Sequence, residues 1–195
     1  MTLTRGSGED ALSWIRNSEL NSEQRAHLVA FVNRFPSMTF TKANFEFLDS
    51  MEFEHQVTIP NAVKKMFTAL LLVDDFPEFR VDDYTYWTPR TDNMHPIWYA
   101  STWGYANEQE RNSFLQANMF PVAQWADTGL SSLAINVSDG QDTKIYEFTG
   151  EDIVDDIQSN NSPDSSVFPA FTSYTELISH ISELRFPDGT LIHAR

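Results

Sequence analysis

Three acid pairs, Asp74-Asp75, Asp82-Asp83 and Asp155-Asp156, are the residues whose type and spacing first suggest chemistry. Adjacent carboxylates can hold a divalent cation or face a basic partner. A dedicated calcium loop needs oxygen ligands at alternate positions before a glycine. Counting back from Gly140 gives Asp139, Val137 and Ile135, so the pattern fails and no metal is expected. The histidines, His27, His55, His95, His180 and His193, are scattered and never stand at metal-ligand spacing on one helix. No Gly-x-Ser-x-Gly elbow, Ser-x-x-Lys pair or phosphate-cradling glycine loop occurs, and the chain has only seven glycines. There is no cysteine, which removes disulfides and thiolate catalysis. Neither a catalytic apparatus nor a cofactor is therefore expected. A hydrolase or transferase assembled from distant residues stays open only because such sites are spatial.

Acidity remains the dominant signal. The net charge is −15 over 195 residues, from 13 basic and 28 acidic side chains. Residues 1–42 carry five basic and four acidic side chains (+1), leaving eight basic and 24 acidic (−16) in residues 43–195. Such a surface repels phosphate backbones, so direct nucleic-acid binding is disfavoured. A basic protein would be attracted and steered toward it. The acids gather in "DDFPEFRVDD" (Asp74 to Asp83), which holds five acids and one arginine, and between Asp139 and Asp164, with eight acids and one lysine. Solvated loop charge is the plain alternative, since acidity also keeps a protein soluble. Glu78, Asp74, Asp75, Asp82, Asp83, Asp139, Asp155 and Asp156 are the candidate partner-binding acids, with Trp87 and Trp103 as aromatic anchors.

These residues need elements to position them. "NSEQRAHLVAFVNRF" is a helix, with Asn21 and Gln24 in capping-box spacing, Leu28, Phe31, Val32 and Phe35 on one face, and Pro36 as its stop. A short helical segment around Leu12, Trp14 and Ile15 precedes it, and residues 1–8 read as frayed. "TKANFEFLDSMEFEHQ" follows as a helix with Phe45, Leu48 and Met51 as its stripe. "TIPNAVKKMFTALLLV" is the clearest helix, with Pro60 in the first turn and a stripe of Val63, Met66, Phe67, Leu70 and Leu71. "YTYW" reads as a strand, aromatic-rich "NMHPIWYASTWGY" offers another short one, and "NEQERNSFLQ" reads as a short helix or loop. Leu133, Ile135 and Val137 alternate with Ala134, Asn136 and Ser138 as in a half-buried strand. Asp139-Gly140 signals a tight turn and Ile145 to Phe148 a returning strand. "QSNNSPDSS" is a loop, and "TSYTELISHISEL" is a closing helix with Tyr174, Leu177, Ile178, Ile181 and Leu184 on one face.

Helices first, strands in the middle and a helix last predict an α+β fold, a central mostly antiparallel sheet flanked by helices. Residues 1–42 form an N-terminal helical extension and residues 43–195 the α+β domain. No basic start followed by an apolar run begins the chain, and Ala69 to Val73, the longest apolar stretch, is far too short to span a bilayer. A cytoplasmic protein with no membrane contact is expected.

Four stretches together resemble the SUKH superfamily, the Smi/Knr-like group of immunity proteins and fungal regulators. They are "EFEHQVTIPNAVKKMF", "FPVAQWADTGLSSLAINVSDG", "KIYEFTGED" and "FTSYTELISHISEL", within residues 43–186. The group has an acidic helix, an Ile-Pro step into an apolar helix, aromatic strands, a hairpin and a final helix. Two departures stand out: His55-Gln56 where the family has Leu-Gly, and Asp74-Asp75 where it has Asn-Gly-Gly. The resemblance implies a non-enzymatic bacterial protein that binds and neutralises a basic toxin, of a kind that is often a nuclease, through its acidic surface. A regulatory scaffold without toxin linkage is the alternative it leaves open.

Overall fold

The computed structural model describes residues 3–55, 58–72, 78–87, 119–125, 131–136, 144–149, 155–156, 159, 167–186 and 188–192. Five helices lie among them: α1 (Gly8–Arg16), α2 (Ser22–Arg34), α3 (Phe45–His55), α4 (Asn61–Ala69) and α5 (Tyr174–His180). The first three start where a side chain satisfies an otherwise unpaired backbone N–H. Ser7 and Asp10 form a capping box on α1, and Asn21 and Gln24 form the one predicted on α2. Asn44 Oδ1 accepts from the Phe47 N–H at 2.7 Å to begin α3. Pro60 occupies the cap position of α4 rather than its first turn. Glu52 of α3 accepts the Ile59 N–H at 2.7 Å and pairs with Lys64 at 2.6 Å, which ties α3 to the entry of α4. Burial pulls the Lys64 ammonium down, but bonds to Glu52 and Asp49 outweigh it and hold its pKa above the ordinary value.

The strands form two sheets. β1 (Thr4–Gly6) pairs antiparallel with β2 (Phe40–Lys42), so the segment read as frayed is ordered from Thr4. A side chain at Gly6 would meet the Trp14 ring at 2.8 Å, so glycine is what lets Trp14 lie against β1. The larger sheet has eight strands: β3 (Glu78–Val81), β4 (Tyr84–Trp87), β5 (Met119–Trp125), β6 (Ser131–Asn136), β7 (Ile145–Thr149), β8 (Val167–Phe171), β9 (Ile181–Arg185) and β10 (Leu191–Ile192). Their order is β10-β9-β3-β4-β5-β6-β7-β8, and every described pairing is antiparallel. The α+β expectation holds.

Connectivity requires that sheet to curl. β8 and β9 lie six neighbour steps apart, which in a flat sheet is about 29 Å. The link from Phe171 to Ile181 contains the seven-residue α5 and reaches about 24 Å even if straight. The two strands must therefore approach each other. Leu177 and Ile178 of α5 share one hydrophobic cluster with Phe79, Val81, Tyr86, Ala123, Leu133, Ile135, Ile145, Ile181 and Leu184 of the sheet. Ile15, Leu28, Phe31, Val32 and Phe35 of the first 42 residues join the same cluster, as do Leu48, Val63 and Phe67.

Four expectations are corrected by tertiary contacts. The α4 stripe outlasts its helix: Leu70 is extended, and the Leu71 N–H donates to Thr41 O at 2.8 Å. On α3, Phe45 is 54% exposed and Phe47 is the buried phenylalanine. The closing helix stops at His180, and Ile181 to Arg185 is a strand between β3 and β10. Ile181 and Leu184 still face the core together because of an irregularity at Ser182. Val81 pairs with Ile181 while Arg80 pairs with Glu183, so an extra residue restores the common face. Finally, Ala134 is as buried as Leu133 and Ile135, so β6 is covered on both faces. The β6–β7 hairpin itself forms, with Ile135 opposite Ile145 and Ser131 opposite Thr149. Its Asp139-Gly140 turn lies outside the described residues, as do "NMHPIWYASTWGY", "NEQERNSFLQ" and most of "QSNNSPDSS".

Candidate partner-binding surface

Of the ten candidate residues, Asp74, Asp75, Trp103 and Asp139 lie outside the described residues. The β3–β4 hairpin brings four others together. Glu78 sits on β3 opposite Trp87 on β4, and Asp82 and Asp83 are the two residues of the connecting turn. Asp82 has φ 51°, a left-handed conformation that Asp tolerates better than most non-glycine residues. Turn chemistry thus accounts for an aspartate at this position independently of any partner. Asp155 and Asp156 are helical; Asp155 is exposed and Asp156 half-buried. Neither takes part in the hairpin's ion pairs.

The hairpin alternates strictly. Phe79 and Val81 point into the core, while Glu78 and Arg80 face outward with Thr85 and Trp87. β9 continues the outer face, setting Arg185 beside Glu78 and Glu183 beside Arg80. Arg185 Nε lies 3.5 Å from Glu78 Oε1, and Arg80 Nη1 lies 3.5 Å from Glu183 Oε1. Arg185 Nη2 reaches the same Glu183 oxygen at 3.5 Å, and Arg80 Nη2 lies 3.6 Å from Asp83 Oδ1. Arg80 Nε also donates to the Asp82 carbonyl at 2.9 Å. Three acids, Glu78, Asp83 and Glu183, pair with two arginines here, and Asp82 in the turn brings the local charge to −2 rather than that of a bare acidic strip. Exposed pairs of this kind contribute about 0–1 kcal/mol each, so they organise the face more than they hold the fold.

Two features stay open to solvent. The Asp83 side chain is 97% exposed at the tip, and Trp87 is 46% exposed on the outer face. Tyr84 is exposed on the other face, its ring edge-on to Trp125 at 5.2 Å. Arg185 and Glu183 were invisible to sequence reasoning because their segment reads as helix; the register between β3 and β9 alone places them here.

His180 lies 4.0 Å from Glu176 Oε1 and 5.5 Å from the Phe171 ring. The Thr172 hydroxyl and N–H both donate to Glu176 Oε2, at 2.5 and 2.6 Å, and hold its carboxyl below the ordinary value. Glu176 is thus engaged at the start of α5, where Ser173 Oγ accepts its N–H. Among the described residues no three His, Asp or Glu side chains could hold a metal ion, and no helix is long and apolar enough to cross a membrane.

An α+β protein with helices packed against a mostly antiparallel sheet is the class these elements define. No family model matches the chain, and no curated protein or solved structure matches it either.

Proposed function

We propose that this chain is a non-enzymatic, immunity-type binding protein that neutralises a basic protein toxin. The observation that carries the reading is one hairpin with exposed Trp87 at its base and the Asp82-Asp83 pair at its tip, in a stretch of chain with 24 acids and eight bases. An exposed tryptophan on a rigid strand is a good anchor for an interface, and acids around it steer a basic partner in. The resemblance to Smi/Knr-like proteins supplies the toxin linkage. Because Arg80 and Arg185 offset Glu78 and Glu183, the contact acids of this face are Asp82 and Asp83.

The test is capture of basic proteins from the native strain on the immobilised chain, followed by binding measurements from 50 to 500 mM salt. Affinity for the captured toxin should fall as salt rises, because screening shortens to about 3 Å near 1 M. Trp87→Ala should weaken it by about 30-fold or more, as expected for a central anchor. A partner whose affinity ignores both salt and Trp87 would sink this assignment. A captured regulator with no toxic activity would favour the scaffold alternative.

A further inference from the structure

The hairpin is not the only place where charge and aromatic surface meet. The end of α1, the end of β2, the start of α3 and the outer side of α4 enclose a cavity of about 280 Å³. Trp14 and Phe45 give it apolar walls, and Lys42, Lys65 and Glu19 give it charge. Lys42 is half-buried with its Nζ 5.1 Å from the centre of the Trp14 ring. It makes no ion pair with a described carboxylate, in a chain where acids outnumber bases by 28 to 13. Lys65 is paired with Glu19 at 2.8 Å. That bond, together with the ammonium's charge, holds the Glu19 carboxyl below its ordinary value. Phe45 is 54% exposed at the first position of its helix, against the sequence expectation that it joins the core.

We propose that this cavity binds a small aromatic monocarboxylate. Two ammonium groups and one carboxylate leave the lining at +1, which suits a single negative charge better than a phosphate dianion. Lys42 supplies the counter-charge from a partly desolvated position over Trp14, where a charge-assisted bond is stronger than in open water. Trp14 and Phe45 supply flat surface for one ring. The volume lies just below the range of drug-sized sites, so the ligand is a one-ring molecule. The site is built from elements other than the β3–β4 hairpin, and its ligand carries the opposite charge to the proposed toxin. Its function is therefore independent of the partner-binding reading.

The experiment is a titration of the full chain with benzoate, followed by the indole N–H resonance of Trp14, assigned with Trp14→Phe. Benzyl alcohol, benzylamine and inorganic phosphate are titrated in parallel. Benzoate should shift the resonance saturably and bind at least about fivefold more tightly than the other three. Lys42→Met keeps the aliphatic cover on Trp14 and should weaken benzoate by about fivefold or more. Phe45→Ser, at an exposed position, should weaken benzoate and benzyl alcohol alike. Both variants should keep the wild-type urea midpoint to within error. No saturable shift, equal binding of benzyl alcohol or benzylamine, tighter binding of phosphate, or undiminished binding by Lys42→Met would each overturn the proposal. The Lys42–Trp14 contact would then be packing alone.

Discussion

Removing one oxygen atom from Tyr174 tests how the N-terminal helices are locked to α5. Tyr174 is 2% exposed, and its Oη accepts the N–H of Leu72, itself 3% exposed, at 3.1 Å. Leu72 lies just past the end of α4, in the extended stretch that leaves the helix at Leu70. Tyr174→Phe keeps the ring and its edge-on contact with Phe67 at 5.2 Å but leaves the Leu72 N–H buried without its acceptor. An unsatisfied buried donor costs about 1–3 kcal/mol. The void left by one oxygen adds about 0.3 kcal/mol at about 24 cal/mol per Å³. A net loss of about 1–3 kcal/mol follows, which lowers Tm by about 2–4 °C per kcal/mol in a domain of this size. Urea unfolding followed by circular dichroism reads it as a lower midpoint at unchanged slope. Tyr84→Phe, at a position 50% exposed, is the control and should stay within about 0.5 kcal/mol of wild type. Tyr174→Phe indistinguishable from that control would show that the bond contributes nothing to stability.

Two further outcomes follow from buried groups and close approaches. Burial raises the phenol pKa of both Tyr174 and Tyr86, the latter with help from the charge of Glu147. Their folded pKa values therefore exceed the unfolded value near 10, so their contribution to stability is complete below about pH 10 and is lost as pH rises above it. Absorbance at 295 nm should show at least two of the six tyrosines, Tyr86 and Tyr174 among them, ionising above the ordinary range while the fold is intact; smooth titration of all six near pH 10 in the folded state would contradict this. Gly6→Ala places a methyl 2.7 Å from Asp10 Cβ and 2.8 Å from the Trp14 ring, so it should destabilise by about 1–3 kcal/mol in urea and shift the Trp14 indole resonance. A wild-type midpoint with an unmoved resonance would mean that β1 does not pack on Trp14 in solution.

Local chemistry was legible and register was not. The Asn21–Gln24 box and Pro36 bracket α2 because caps and breakers act within a few residues. Leu70 and Leu71 prolong the α4 stripe yet are extended, since buried leucines satisfy a core in either conformation. What stops the helix is the bond from the Leu71 N–H to Thr41 O, thirty residues away in sequence and absent from any local pattern. Ile181 and Leu184 mislead more sharply. Their separation of three fits a helix face, and a plain strand would send them to opposite sides of the sheet. The extra residue at Ser182 lets a strand mimic that spacing, and Ser182 Oγ donates to Arg80 O at 2.8 Å where the irregularity falls. Glu183 and Arg185 were thereby lost as neighbours of the acidic hairpin.

That loss changes how the acidity should be weighed. At physiological salt, charges farther apart than about 8 Å are largely screened from each other, so a partner meets local charge rather than the total of −15. On the outer face of the hairpin, Arg80 bonds the turn it precedes and pairs with Asp83 and Glu183, while Arg185 spans Glu78 and Glu183. Each arginine serves two carboxylates, so the strip is organised as alternating charge, with the excess concentrated at Asp82-Asp83. A basic partner gains most by approaching the tip; Trp87 stands at the other end of β4, beside Glu78 and about 13 Å away, where it would take a separate apolar group. Approaching Glu78 or Glu183 instead would mean displacing an arginine already in place. The tip is thus suited to a single protruding lysine or arginine, and Trp87 to a second group of the same partner about 13 Å away.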